Sequence, residues 1–226
     1  ANLVLHGIDH PNLLHGNTLT GQVDYAGLFQ DAPTRYHIIA TNPPFGGKES
    51  KQAQTNFAFK TSATQILFWQ HVMDKLAHGG KCGIVLDDGP LFRTNETAFV
   101  QTKRKLLNEF DVWCIISLPG GVFTSAGAGV KTNIIFFNEG GPTEKIWYYD
   151  LSPIKIGKRK PLTDAHFEHF FQVMPIRAES AYSWSVDINA RKAQAQSEAA
   201  PYREQAQAKQ RTARDLETAW AQAKKQ

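Results

Sequence analysis

The sequence has only two cysteines, no apolar run near the roughly 18 residues of a membrane-spanning helix, and no secretory leader. Each absence closes off a class of protein. Two cysteines make no disulfide framework. Cys82 and Cys114 sit in apolar runs (KCGIVL and VWCII), so they read as buried, reduced thiols of a cytoplasmic protein. Phosphate loops are missing too, since neither Gly120-Gly121 nor Gly127-x-Gly129 is followed by Lys-Ser/Thr. His166-Phe-Glu-His169 offers two histidines with no cysteine or third ligand, and His6, His10 and His15 share one loop-like stretch, so no metal is expected. There are no internal repeats. The chain opens on Ala1 and runs directly into Asn2-Leu-Val-Leu-His6, as a piece cut from something longer would.

What remains is a chain of 226 residues, 42% hydrophobic and 11% aromatic, enough for one core and an appendage. Its net charge of +4 is uneven. Residues 151–226 hold 13 Lys/Arg against 8 Asp/Glu, a balance of +5 that leaves about −1 for residues 1–150. A basic back half suits nucleic acid or an acidic partner, and solvated helix lysines would give the same count.

The pattern of elements is more telling. Tyr36 to Ala40 (YHIIA) reads as a buried strand, ended by Asn42-Pro43-Pro44-Phe45 and Gly46-Gly47. Ser62 to His78 places Ile66, Trp69, Val72, Met73 and Leu76 on one helical face, and Gly79-Gly80 ends it. Lys81 to Leu86 is a second strand, stopped at Asp87-Asp88-Gly89-Pro90, a turn that needs no function of its own. A helix from Asn95 to Leu107 and a strand from Val112 to Leu118 follow. Such alternation predicts a parallel, doubly wound α/β sheet. Val130 to Asn138 and Lys145 to Leu151 then come with no helix between them, which predicts a β-hairpin at one edge. A parallel α/β sheet finished by a hairpin is the pattern of S-adenosylmethionine-dependent methyltransferases. Beyond it lie the basic loop Ile156 to Lys160, a short aromatic helix from Leu162 to Phe171, and an Ala/Gln/Lys/Arg-rich tail. The expected divisions are 1–151 for the sheet, 152–188 for a basic and aromatic extension and 189–226 for a helical tail.

The Asn-Pro-Pro-Phe corner falls where open α/β sheets bind ligands, beyond the carboxyl end of a strand. Two prolines make a stiff, extended corner with uncommitted carbonyls, beside the Asn42 amide oxygen and the flat Phe45 ring. Together they suit a planar base with an exocyclic amino group. The plainer alternative is a proline-terminated strand with a core phenylalanine.

NPPF at 42–45, VLDDGPLF at 85–92, ISLPGGVF at 116–123 and GVKTNIIFF at 129–137 stand in that order and spacing. The chain from Asn2 to Leu151, and more loosely to Asn189, resembles the carboxyl-terminal half of the modification subunit of Type I restriction–modification systems, an adenine-N6 DNA methyltransferase. The resemblance implies a Rossmann-like sheet and S-adenosylmethionine as methyl donor. It also implies double-stranded DNA, a specificity subunit and a restriction subunit as partners. It makes Asn42, Pro43, Pro44 and Phe45 catalytic, with Asn42 also near the cofactor, and Phe45, Phe123, Lys131 and Thr132 contacts to the target base or its DNA. The 124–129 stretch (TSAGAG) becomes a mobile loop beside that site. Gly16-Asn17-Thr18-Leu19 matches a family motif written G-D-[ST]-L, whose acid lies near the cofactor adenine; Asn17 replaces that acid. The family's glycine-rich cofactor loop is not in this chain, so the chain alone is expected not to methylate DNA. The tail is expected to dock on a specificity subunit through Tyr202, Leu216 and Trp220, or else to be solvated. Two other readings of the corner stand: a protein glutamine-N5 methyltransferase, or an inactive scaffold that holds a specificity subunit.

Overall fold

The computed structural model describes residues 2–10, 16–20, 22–23, 33–124, 129–157 and 159–224. His15, Lys158 and the centre of the loop expected beside the site, residues 125–128, lie outside the described residues. The chain begins with one helical turn, α1 (Asn2–Leu5), and a small antiparallel ribbon of β1 (Gly16–Asn17) and β2 (Gln22–Val23). Strands and helices then alternate: β3 (Tyr36–Thr41), α2 (Lys51–Gln54), α3 (Thr64–Lys75), β4 (Leu76–Asp87), α4 (Asp88–Phe92), α5 (Thr97–Glu109) and β5 (Phe110–Ser117). After these come β6 (Thr132–Glu139), β7 (Lys145–Asp150), α6 (Glu168–Val173), β8 (Ser183–Asp187) and the long α7 (Ile188–Ala223). Of the helical stripe read from the sequence, Ile66, Trp69, Val72 and Met73 are buried on α3, but the helix ends at Lys75 rather than His78, so Leu76, buried as well, opens β4 and Gly79-Gly80 lie within that strand. In β4 the ladder to both neighbours is continuous only from Lys81 on, consistent with the glycine pair that precedes it.

Six strands form one mixed sheet in the order β3-β4-β6-β5-β7-β8. β3 pairs parallel with β4, and β5 parallel with β7. β6 lies between β4 and β5, antiparallel to both. The methyltransferase-like α/β sheet is therefore present, but the terminal hairpin is not: β6 and β7 are not partners, and the antiparallel strand is central. The connection between them explains why. Thr143 is fully buried; its hydroxyl donates to the Phe110 carbonyl at 2.6 Å and accepts from the Val112 N–H at 2.9 Å. Its own N–H reaches the Leu107 carbonyl at 3.0 Å. These bonds tie the link to the start of β5, so β7 is laid down on the far side of β5. Gly140 and Gly141, with φ of +143° and +146°, let the chain make that crossing.

A second expectation fails at β3. Its burial was read from the apolar letters alone, yet Tyr36 is 44% and Ile38 77% exposed. β3 is the last strand of the sheet, and among the described residues nothing pairs with its outer edge. Strands of parallel sheets are ordinarily covered on both faces.

Strand alternation splits the core in two. On one face Cys114, Ile116, Leu118, Trp147, Tyr149 and Leu151 pack with Phe170 of α6. The opposite face holds Ile115, Ile135 and Ile146, beside Trp69 of α3 and Leu106 of α5. Burial pushes both thiols up to about 12, with Arg177 pulling the other way at Cys114. The chain forms two compact units, Ala1–Ser185 and Val186–Gln226. The second is the helix α7, capped at its start by the Asp187 carboxylate, which accepts from the Ala190 N–H at 2.8 Å. None of its described residues is buried, and Tyr202, Leu216 and Trp220 are 63–73% exposed.

Candidate active site

β3 delivers Asn42 to the carboxyl edge of the sheet, in register with the last residues of β4 through the Thr41–Ile84 pair. Pro43 is buried and anchors the corner, whereas Asn42 and Pro44 are exposed and Phe45 is half-buried. Among the described residues no hydrogen bond is made to the Asn42 side chain or the Pro43 carbonyl. The chain then doubles back against the start of α3. Lys48 bridges Ala63, the Glu49 N–H donates to the Ser62 carbonyl at 2.8 Å, and the Thr64 hydroxyl donates to the Glu49 carboxylate at 3.0 Å. Gly47 is required there: its φ is +94°, and a Cβ would meet Thr64 Oγ1 at 2.9 Å.

Because β6 runs antiparallel, its start lies at the same edge as the ends of β4 and β5. This brings residues about 80 positions apart together. The Phe45 and Phe123 rings meet edge to face, with centroids 5.0 Å apart and planes at 64°. Lys131, immediately before β6, is exposed, and its carbonyl accepts from the Asp88 N–H at 3.1 Å. Thr132 is fully buried, and among the described residues its hydroxyl has no partner. Its carbonyl accepts from the Leu118 N–H at 2.9 Å, which ties the segment leading to Phe123 onto β6.

The sequence reading gave the Asp87-Asp88 turn no role, and the structure gives it one. Asp87 accepts from the buried Gln65 amide and from the Gly89 N–H at 3.3 Å, capping α4. Asp88 accepts from the Asn133 amide at 2.7 Å, and the Asn133 oxygen accepts from the Ser117 hydroxyl at 3.0 Å. This chain of polar contacts stitches the ends of β4 and β5 to β6. Its sequence signal was weak: paired acids before Gly-Pro at a strand end look the same in any tight turn.

Asn17 is placed differently. Its side-chain oxygen accepts from the Leu19 N–H at 2.9 Å, an Asx turn that an aspartate would make equally well. Leu19 is buried with Ala53, Phe57 and Leu67, and the Asn56 amide donates to its carbonyl at 3.0 Å. The amide in the motif is thus a local turn former that seats Leu19. The histidines that resembled a metal pair have other contacts: His166 closes a capping box with Thr163, and His169 hydrogen-bonds the Tyr149 hydroxyl at 2.8 Å.

The sequence and the fold of this chain have counterparts among known proteins. The family model of N-6 DNA methylases matches residues 1–211. The chain is 38% identical over 153 residues to the methylase subunit of the Type I restriction enzyme EcoEI from Escherichia coli, covering 66% of this chain and 29% of that protein. It is 33% identical over 183 residues to the EcoKI methylase subunit of E. coli K12, covering 76% of this chain and 34% of that one. Among solved structures, the modification subunit of a putative type I restriction enzyme from Vibrio vulnificus superposes with a TM-score of 0.70 at 30% identity, over 82% of this chain and 40% of that one. The chain spans about a third of the length of the curated relatives it matches. With the family model covering nearly all of it, the chain belongs to the N-6 DNA methylase family.

Proposed function

We propose that this chain is the target-base half of a DNA adenine-N6 methyltransferase, the modification subunit of a Type I restriction–modification system. In this reading it works in the cytoplasm on double-stranded DNA, together with a specificity subunit and a restriction subunit. The observation that supports it most is the Phe45–Phe123 pair, 5.0 Å apart, beside an Asn42 side chain with no partner among the described residues.

S-adenosylmethionine, when bound, supplies an electrophilic methyl group. The exposed Asn42 side chain, at the carboxyl edge of the sheet, fits the methyl-bearing side of that group. The oxygen of Asn17 accepts the backbone bond of its turn and keeps a second lone pair for the cofactor adenine, without the charge of the usual acid. An aromatic exocyclic amine is a poor nucleophile because its lone pair is delocalised into the ring. The Asn42 oxygen and the Pro43 carbonyl accept hydrogen bonds from its two N–H groups, the nitrogen moves toward tetrahedral geometry, and the lone pair becomes available; one amino proton is lost to solvent after the transfer. The catalysis is positioning plus electrostatic stabilisation and needs no strong base. The adenine must first leave the duplex, and Phe45 then stacks on it while Phe123 closes over it. Lys131, exposed at the start of β6, meets the DNA. Thr132, fully buried, acts through the backbone bond that fixes the Phe123 segment. The helix α7 docks on the helical part of the specificity subunit through Tyr202, Leu216 and Trp220.

Asn42→Ala in the full-length complex tests the assignment. DNA affinity is expected to stay nearly unchanged while the transfer rate falls at least roughly 100-fold, by analogy with loss of one oxyanion-hole donor. A fully active Asn42→Ala enzyme contradicts it.

A further inference from the structure

The turn that carries Phe123 also walls a pocket of about 610 Å3. Gly121, Val122 and Thr124 line one side, and Ile156, Gly157 and Leu162 the other. That volume lies within the roughly 300–1,000 Å3 usual for ligand sites. The second wall is a short hairpin clamped by reciprocal backbone bonds between Gly157 and Lys160, both 2.9 Å. Both walls rest on one core: Val122, Ile154 and Leu162 pack on the cluster that contains Leu118, Tyr149, Leu151 and Phe170. Their separation is therefore fixed by packing rather than by loop chance.

Residues 151–162 contain four Lys/Arg and no Asp/Glu. Lys155, Arg159 and Lys160 are exposed, and among the described residues no carboxylate pairs with them. A cluster of unpaired cations repels itself, and a polyanion relieves that repulsion while releasing its own counterions. Extruding a base turns its nucleotide about the sugar–phosphate backbone, so the flanking phosphates must come to the protein wherever the base is captured.

We propose that this pocket and its hairpin hold the sugar–phosphate backbone of the DNA strand at the extruded base, with Lys155, Arg159 and Lys160 on its phosphates. The inference rests on the reading of Phe45 and Phe123 as the base-capturing pair. Contacts of this kind position the strand and carry no sequence information, so they act equally on target and non-target duplexes.

The test uses the full-length subunit assembled with its specificity partner. The triple variant Lys155→Gln, Arg159→Gln, Lys160→Gln is titrated with target and non-target duplexes across a salt series, and its assembly is measured in parallel by sedimentation. Each lost phosphate contact lowers the slope of log K against log salt by roughly 0.9, so a drop of about 2 to 3 is expected on both duplexes, with assembly unchanged. An unaltered slope overturns the proposal. Lost assembly with an unaltered DNA slope in the residual complex also overturns it, and assigns the cations to an acidic face of the partner subunit. Should the triple variant fold poorly by circular dichroism, Lys155→Gln and Arg159→Gln taken singly must each lower the slope by roughly 0.9. Phe45→Ala, run alongside, separates the two readings. It should weaken base capture and leave the salt slope intact; if it weakens nothing while the triple variant still flattens the slope, the backbone site stands and the base-capture reading falls.

Discussion

The Phe45–Phe123 contact makes a prediction with a definite sign. At 5.0 Å between centroids the two rings leave no slot between them. A base stacked on both would need the rings roughly 7 Å apart, two carbon contacts of about 3.5 Å. Capturing a base therefore breaks an edge-to-face contact worth about 0.5–1.5 kcal/mol, and each stacking face gained returns about 1–3 kcal/mol. Taking about 1 kcal/mol for the edge contact and about 2 for each face, either Phe45→Ala or Phe123→Ala loses one face but no longer has the edge contact to break. Each single variant then costs about 1 kcal/mol, near fivefold in base capture. The double variant loses both faces and is relieved of the edge contact only once, a cost of about 3 kcal/mol rather than about 2. The excess equals the edge contact itself, and it persists if the base stacks on Phe45 alone. The assay is the extrusion equilibrium of a 2-aminopurine placed at the target adenine, read by its fluorescence in the full-length complex. A double variant no worse than the sum of the singles would falsify the idea that this ring pair opens to admit the base.

Three further outcomes follow from particular contacts. Thr143→Val keeps the side-chain shape but orphans the Val112 N–H and the Phe110 carbonyl, so chemical denaturation should show a loss of about 1–3 kcal/mol for each group that water does not reach; an unchanged midpoint would show that the crossing over β5 does not depend on it. With both thiols pushed up to about 12, the thiolate fraction at pH 8.5 is tiny in the folded chain and near half when unfolded. Alkylation of Cys82 and Cys114 should thus be on the order of 1,000-fold slower in the native protein and recover as pH rises toward 12, a dependence visible by mass spectrometry. Deleting residues 189–226 should weaken co-purification with the specificity subunit while leaving S-adenosylmethionine binding by the full-length subunit unchanged; equally tight co-purification without them would make the tail a solvated helix.

Sequence by itself determined the local elements and the identity of the corner. Helical spacing found most of the buried stripe of α3, and strand-ending turns located the last residues of β4 and β5 to within one position, although β4 begins at Leu76, five residues before the expected Lys81. The NPPF letters fixed Asn42 and Phe45 at a strand's carboxyl end, because proline chemistry acts within a few residues. Which strands pair is another matter. Two adjacent strands without a helix between them look like a hairpin, and only the buried Thr143, bonded across to β5, sends β7 past it and leaves β6 in the centre. That single crossing sets Thr132 and Asn133 beside Asp87 and Asp88, links Asp88 through Asn133 to Ser117, and underlies the turn that brings Phe123 against Phe45. Periodicity reports the face a residue turns within its own element. Partner choice depends on bonds between residues 30 or more positions apart, such as Thr143 with Phe110, and those exist only once the chain has folded.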